Sequence, residues 1–91
     1  MVSHPYSVEI TKTLVVDFIP HQPPALMGTA TVSPCDLIFD FSVERLPGRT
    51  EETVELKPNF DTNVYFIPDM LTELIINSIK SYYHDFLSSL K

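Results

Sequence analysis

The sequence contains a single cysteine, Cys35, and no long apolar run. One thiol excludes an internal disulfide, which fits a reducing compartment. No stretch approaches the ~18 apolar residues of a membrane-spanning helix, and residues 1–7 lack the basic start and apolar stretch of a secretory signal. We therefore predict a soluble, cytoplasmic protein without a membrane partner.

Positive charge is also scarce. Six Lys and Arg stand against twelve Asp and Glu, which gives a net charge of −6. The basic residues are scattered along the chain and form no stripe, and phosphate groups would repel such a surface. We predict no direct contact with nucleic acid, whereas a basic macromolecule remains an electrostatically suitable partner.

The chain lacks recognisable catalytic and metal-binding motifs. Its usual candidates are His4, His21, Cys35 and His84, and none lies within about two to five residues of another, the spacing typical of metal sites. We predict no catalytic residue, no metal and no cofactor, with His84 on a solvated surface. A small enzyme or ligand-binding protein that uses His21 or Cys35 is kept as an alternative.

The pattern that is present predicts an α+β fold. Alternating apolar residues favour strands over 7–19, 26–32, 36–46 and 51–57, with 63–67 as an optional fifth strand. The strand over 36–46 alternates most regularly and should be central, with Leu37, Phe39, Phe41 and Val43 inward. In the first strand, one face should carry Val8, Ile10, Leu14, Val16 and Phe18, with Lys12 as an exception.

A helix is predicted over residues 69–90, after every strand. Pro68 and Asp69 form a suitable start, and the apolar residues that follow recur at spacings of three and four. We therefore predict one domain over residues 1–91, an antiparallel meander of four or five strands followed by one C-terminal helix packed on one sheet face. Since no helix connects two strands, a doubly wound nucleotide-binding fold is excluded.

The helix offers one candidate interface. Its apolar stripe is wider than the ~100° that one core contact requires. This extra width predicts self-association, and hence a homodimer or an assembly subunit, through Leu74, Ile76, Tyr83 and Leu87. The alternative is that the strands and a loop cover the whole stripe.

The second candidate interface is an acidic hairpin. A reverse turn at Pro47-Gly48 should join two strands, because Pro presets φ and Gly tolerates positive φ. The hairpin carries six acidic residues: Asp36, Asp40, Glu44, Glu51, Glu52 and Glu55. They predict a non-enzymatic inhibitor or adaptor that binds a larger basic protein, such as a nucleic-acid-binding one, by analogy with phage-encoded inhibitors. The alternative is a solubilising sheet face.

Overall fold

The part of the chain that the structure describes forms a four-stranded antiparallel sheet with one helix packed against it. The computed structural model describes residues 6–16, 20 and 22–90. Its elements are β1 (Ser7–Val15), β2 (Leu26–Ser33), β3 (Leu37–Glu44), β4 (Thr53–Pro58) and α1 (Asp69–Ser89). The strands lie in the sheet in the order β1-β2-β3-β4. The predicted fold class, an antiparallel meander closed by a C-terminal helix, is confirmed.

The core lies between α1 and one face of the sheet. The inward residues of β3 are Leu37, Phe39, Phe41 and Val43, and all four are buried as their alternation predicts. They face the buried stripe of α1, which consists of Leu71, Ile75, Ile79 and Tyr83. We call the opposite side of the sheet, which α1 does not cover, the open face.

The optional fifth strand at residues 63–67 does not form. Residues 62–64 make a turn and residues 65–68 have no regular structure. Aromatic contacts anchor this segment instead: the Phe60 ring lies edge-on to Phe39 with centroids 5.2 Å apart, and Tyr65 lies edge-on to Phe60 at 5.9 Å. Residues 62–68 therefore cross from the sheet to α1 without ladder hydrogen bonds.

A β-bulge in β1 changes which face its side chains occupy. The register shifts between Thr11 and Leu14, and Lys12 has a positive φ of 52°. The one extra residue ends the regular alternation, so Val8 and Ile10 pack against the core whereas Leu14 lies opposite Met27 on the open face.

The prediction that Leu14 and Val16 share a face with Val8 is therefore wrong. The Val16 N–H donates to Ala25 O at 3.0 Å, which continues the shifted register beyond the strand. Phe18, and the remainder of the predicted strand at 17–19, lie outside the described residues.

The hairpin between β3 and β4 contains the predicted reverse turn. The Arg49 N–H donates to Leu46 O at 3.1 Å, and Gly48 has a φ of 76°. A positive φ at the third turn position is the type II geometry that favours glycine there. This turn reverses the chain direction within residues 45–52, which join β3 to β4.

Helix α1 begins directly after Pro68, whose carbonyl accepts hydrogen bonds from the N–H groups of Leu71 and Thr72. The cap residue is Pro68, and no side-chain hydrogen bond caps the helix. Asp69 lies within the first turn, where its charge suits the positive end of the helix dipole.

Candidate partner-binding surfaces

Three acidic side chains share the open face of the β3–β4 hairpin. Asp40 and Glu44 project from β3, and Glu55 projects from β4 opposite Ser42. Asp40 and Glu44 are four residues apart, which is about 13 Å along a strand. Lys57 faces Asp40 across the ladder and offsets part of this charge. The result is an open, negatively charged sheet surface.

Asp36 and Glu51 are exposed but lie outside the two strands. Asp36 ends the turn between β2 and β3 with a φ of 57°, and Glu51 lies in the loop before β4. Because Asp36 precedes the start of β3 and Glu51 follows the turn at its end, they lie at opposite ends of the hairpin. They add exposed negative charge at the two ends of the hairpin.

Glu52 does not belong to the acidic open face, so this part of the prediction is wrong. Its Oε2 accepts hydrogen bonds from Arg45 Nε at 3.2 Å and from Arg45 Nη2 at 2.7 Å. Its Oε1 lies 2.9 Å from Nε2 of His84. The Glu52 side chain is only 6% exposed, which shows that it packs between the hairpin and α1.

The charge state of Glu52 follows from these contacts. Burial opposes ionisation, but hydrogen bonds from Arg45 and His84 and the attraction of both groups outweigh it, and the pKa of Glu52 is held below its ordinary value of 4.5. An ionised Glu52 therefore links Arg45 to His84. We call Arg45, Glu52 and His84 the hairpin–helix link.

The positions of Arg45 and Glu52 in the sequence are consistent with this link. Glu44 pairs with Thr53, so continuing the register by one step places Arg45 opposite Glu52. Glu52 also has the same parity as Val54 and Leu56, which pack against the core. Opposite charges at facing positions of two paired strands, with the parity of the core face, indicate an inward ion pair. His84 is exposed as predicted, yet it has a partner.

Tyr83 is not a surface residue, and its assignment to a self-association surface is wrong. Its side chain is completely buried, and its hydroxyl donates to Pro24 O at 2.9 Å. Burial raises the pKa of this phenol. Tyr83 therefore joins α1 to the chain segment that enters β2.

The remaining helix residues of the predicted self-association surface are only partly accessible. Leu74 and Leu87 are half-buried against the core, and Ile76 is also half-buried. Among the apolar side chains of α1 and the residues beside it, the most exposed lie just before the helix and in its first turn: Phe66, which is 88% exposed, Val64 and Met70. The extra width of the stripe is thus largely covered by this domain.

Cys35 and His84, the two predicted candidates for chemistry that the structure describes, lie far apart. Cys35 is free and exposed in the turn before β3, whereas His84 contacts Glu52 beyond the other end of that strand. The eight residues of β3 separate them by roughly 25 Å. Within residues 6–16, 20 and 22–90, no three His, Cys, Asp or Glu side chains form a group suited to a metal ion. His4 and His21 lie outside these ranges.

Two shallow depressions lie on the open face. One, of about 160 Å³, is lined by Val16, Met27, Glu44, Glu55 and neighbouring residues, and the other, of about 220 Å³, lies between Asp40, Leu56 and Lys57. Both are smaller than the roughly 300–1,000 Å³ of small-molecule sites. A broad surface of this kind suits a macromolecule better than a small ligand.

Comparison with known proteins gives no relative from which a function could be transferred. No protein-family model, curated protein or solved structure matches this chain.

The helix found in the described part of the chain is not long and apolar enough to cross a membrane.

Proposed function

We propose that the protein is a non-enzymatic inhibitor or adaptor that binds a larger, basic macromolecular partner through the open face of its β3–β4 hairpin. The observation that supports this proposal is the projection of Asp40, Glu44 and Glu55 from one accessible sheet face. Glu51 extends the same charge at one end, and Lys57 is the basic residue that faces it.

The physical basis is electrostatic complementarity. Acidic groups on one face attract a basic surface over roughly one Debye length, about 8–10 Å at moderate salt, and accelerate the encounter. Because these carboxylates are exposed, salt should screen them strongly. Binding that depends on this face must therefore weaken as ionic strength rises.

The test compares two variants of equal charge. The first carries Asp40→Asn, Glu44→Gln and Glu55→Gln; the control carries Asp69→Asn, Glu73→Gln and Asp85→Asn, which neutralise three exposed acids of α1. Each changes the net charge from −6 to −3 by removing three negative charges. Affinity capture from native lysate identifies bound proteins, and titration of the purified partner at about 50 mM and about 500 mM salt then measures affinity.

We expect the open-face variant to lose at least about tenfold in affinity at low salt and the α1 control to keep most of it. The loss should shrink at high salt. Equal affinity of the wild type and the open-face variant at both salt concentrations would refute the proposal.

Self-association is a second candidate function, now supported by different residues. Phe66, Val64 and Met70 expose large apolar side chains close together in sequence, and Phe66 is 88% exposed. A dimer through this region predicts a mass in solution that rises with concentration and returns to the monomer value in a Phe66→Ser, Met70→Ser variant. A constant monomer mass of the wild type at high concentration would exclude it.

A further inference from the structure

The bulge in β1 places apolar side chains beside the acidic part of the open face. Leu14 lies opposite Met27, Met27 opposite Ser42, and Ser42 opposite Glu55, so these residues form one row across the four strands. Leu14 is 66% exposed and Met27 is 48% exposed. An accessible apolar area therefore continues directly into an acidic one.

The next row repeats this arrangement. The hydrogen bond from Val16 to Ala25 sets these two residues side by side, and the β2–β3 register, continued one step beyond the Leu26–Val43 pair, places Ala25 opposite Glu44. Val16 is exposed, and it lines the same depression as Met27, Glu44 and Glu55. We call the set of Leu14, Val16, Met27, Asp40, Glu44 and Glu55 the amphipathic strip.

We propose that the amphipathic strip binds a basic amphipathic α-helix of the partner, with the helix axis roughly along β2 and β3. This inference rests on the proposed function and specifies the element of the partner that makes the contact. The apolar stripe of such a helix would cover Leu14, Val16 and Met27, and its Lys or Arg residues would lie over the acids of β3 and β4. Met27 suits this role because its flexible side chain adapts to the surface that packs on it.

The spacing of the strip matches a helix. The two rows are two residues apart, or about 6.6 Å along a strand, close to the ~6 Å rise between helical residues i and i+4. Asp40 and Glu44 are about 13 Å apart, close to the ~12 Å between residues i and i+8. One side of a helix could therefore place an apolar residue over each row and a basic residue near each of these acids.

The charges of this chain make its own helix a poor occupant of the strip. Helix α1 carries three acidic residues, Asp69, Glu73 and Asp85, and one lysine, Lys80. Its apolar stripe is buried in the core. A second copy would therefore bring acidic charge onto an acidic surface, whereas a basic helix removes this repulsion and buries exposed apolar area.

The experiment uses the full chain and two synthetic peptides of about 18 residues. Both contain only Leu and Lys in the same proportion. In the first, Leu recurs at i, i+3, i+4 and i+7, which creates one apolar face; in the second, the order is scrambled so that no face forms. Calorimetry measures affinity, and circular dichroism measures helix formation on binding.

We expect the patterned peptide to become helical on binding and to bind about tenfold more tightly than the scrambled peptide. A Leu14→Ser, Met27→Ser variant should lose about tenfold in affinity for the patterned peptide, because each substitution removes apolar contact area. The matched control, Phe66→Ser with Met70→Ser, removes two exposed apolar side chains elsewhere and should bind like the wild type. Both variants change exposed residues and should stay folded by circular dichroism.

The outcomes separate this inference from the proposed function. Equal affinity for the two peptides, or unchanged affinity of the Leu14→Ser, Met27→Ser variant, would overturn the inference. If the open-face acidic variant still weakened binding of the native partner in those cases, the proposed function would stand. A concentration-dependent dimer abolished by Leu14→Ser would also overturn the inference, because a second copy would then occupy the strip.

Discussion

At the residue scale, Glu52 shows that acidic residues of one hairpin have different roles. The side chains of Asp40, Glu44 and Glu55 extend from an open sheet face, whereas Glu52 packs inward and joins Arg45 to His84. A carboxylate with little exposure needs these donors, because a buried charge without partners is strongly unfavourable. Its contribution should therefore appear in stability and not in partner affinity.

We expect Glu52→Gln to lower the free energy of unfolding by about 1–2 kcal/mol at neutral pH. The substitution keeps the volume of the side chain but removes charge-assisted hydrogen bonds. Urea unfolding with an unchanged slope would measure the loss. Glu55→Gln on the open face is the control and should change stability by less than about 0.5 kcal/mol. Equal effects of the two substitutions would contradict the assignment of Glu52 to the hairpin–helix link.

The wild type and Glu52→Gln should also differ in how their stability depends on pH. The pKa of Glu52 is lowered in the folded state, so the ionised group contributes stability that is fully present above the ordinary value of 4.5. This contribution is lost as the pH falls through the lower folded-state pKa. The stability difference between wild type and Glu52→Gln should thus shrink as the pH falls below 4.5. A difference that grows in acid would contradict it.

Tyr83 and Tyr82 are neighbours in sequence with opposite surroundings. The Tyr83 hydroxyl is buried and donates to Pro24 O at 2.9 Å, whereas the Tyr82 hydroxyl makes an exposed contact with Thr13 at 3.2 Å. Tyr83→Phe leaves the Pro24 carbonyl without this donor and should cost about 1–2 kcal/mol. Tyr82→Phe should cost less than about 0.5 kcal/mol, because water can replace its partner. Thermal unfolding of both variants measures the two losses in stability. Equal losses would contradict the argument that burial makes the Tyr83 hydrogen bond more stabilising.

At the element scale, the absence of a side chain at Gly28 lets β1 and the Phe41 ring pack closely against β2. A Cβ atom on Gly28 would lie 2.8 Å from Cζ of Phe41 and 3.3 Å from the carbonyl oxygen of Lys12. Phe41 is buried and paired with Gly28 across the ladder, so its ring packs over the glycine backbone. The bulge in β1 adds its own backbone to the same crowded position.

We expect Gly28→Ala to destabilise the fold by about 1–3 kcal/mol through this crowding. Phe41→Leu in the same chain should recover part of the loss, because the smaller side chain makes room for the new methyl group. Gly48→Ala is the matched control: nothing lies within 4 Å of its Cβ position, but its φ of 76° should cost about 1 kcal/mol. Phe41→Leu should not recover that cost. A double-mutant cycle measures both couplings.

The pattern of residues predicted the regular elements well and their irregularities poorly. β3 and α1 have uninterrupted periodicity, so local sequence alone indicates their buried faces. The bulge at Lys12 depends on pairing with β2 and on the space at Gly28, and both are contacts between residues distant in sequence. The prediction that Leu14 shares a face with Val8 and Ile10 is therefore wrong, because the alternation does not continue across the bulge.

The candidate surfaces were predictable to a similar degree. Asp40, Glu44 and Glu55 lie together because strand parity and the Pro47-Gly48 turn determine their face. The assignment of Tyr83 to a self-association surface is wrong because helical spacing shows which side of the helix it occupies. Spacing does not show how much of that side the rest of the chain covers. The contact that buries it, Pro24, belongs to a loop whose path local sequence does not determine.

At the scale of the whole molecule, α1 and the sheet form one cooperative unit. The buried residues of all these elements belong to a single cluster, and Tyr83 and the hairpin–helix link connect α1 to two different loops. Neither layer buries its apolar face without the other. Loss of the helix should therefore be accompanied by loss of the sheet.

We expect urea to unfold the chain in one transition. Circular dichroism at the helical minimum and tyrosine fluorescence should give the same midpoint, because a domain of this size with one core usually unfolds in two states. The slope should be near 1 kcal/mol per molar urea. A helix signal lost at clearly lower urea than the fluorescence signal would show that α1 detaches first.

The bulge at Lys12 also affects how the molecule behaves in a crowded solution. β1 and β4 are the outer strands of the four, and outer strands can pair with other chains and start aggregation. The bulge interrupts regular pairing on β1. On β4, Asn59 N–H donates inward to Ile38 O, so the preceding Pro58 puts its missing N–H on the outer side. Each outer strand thus carries a local irregularity that opposes fibril growth.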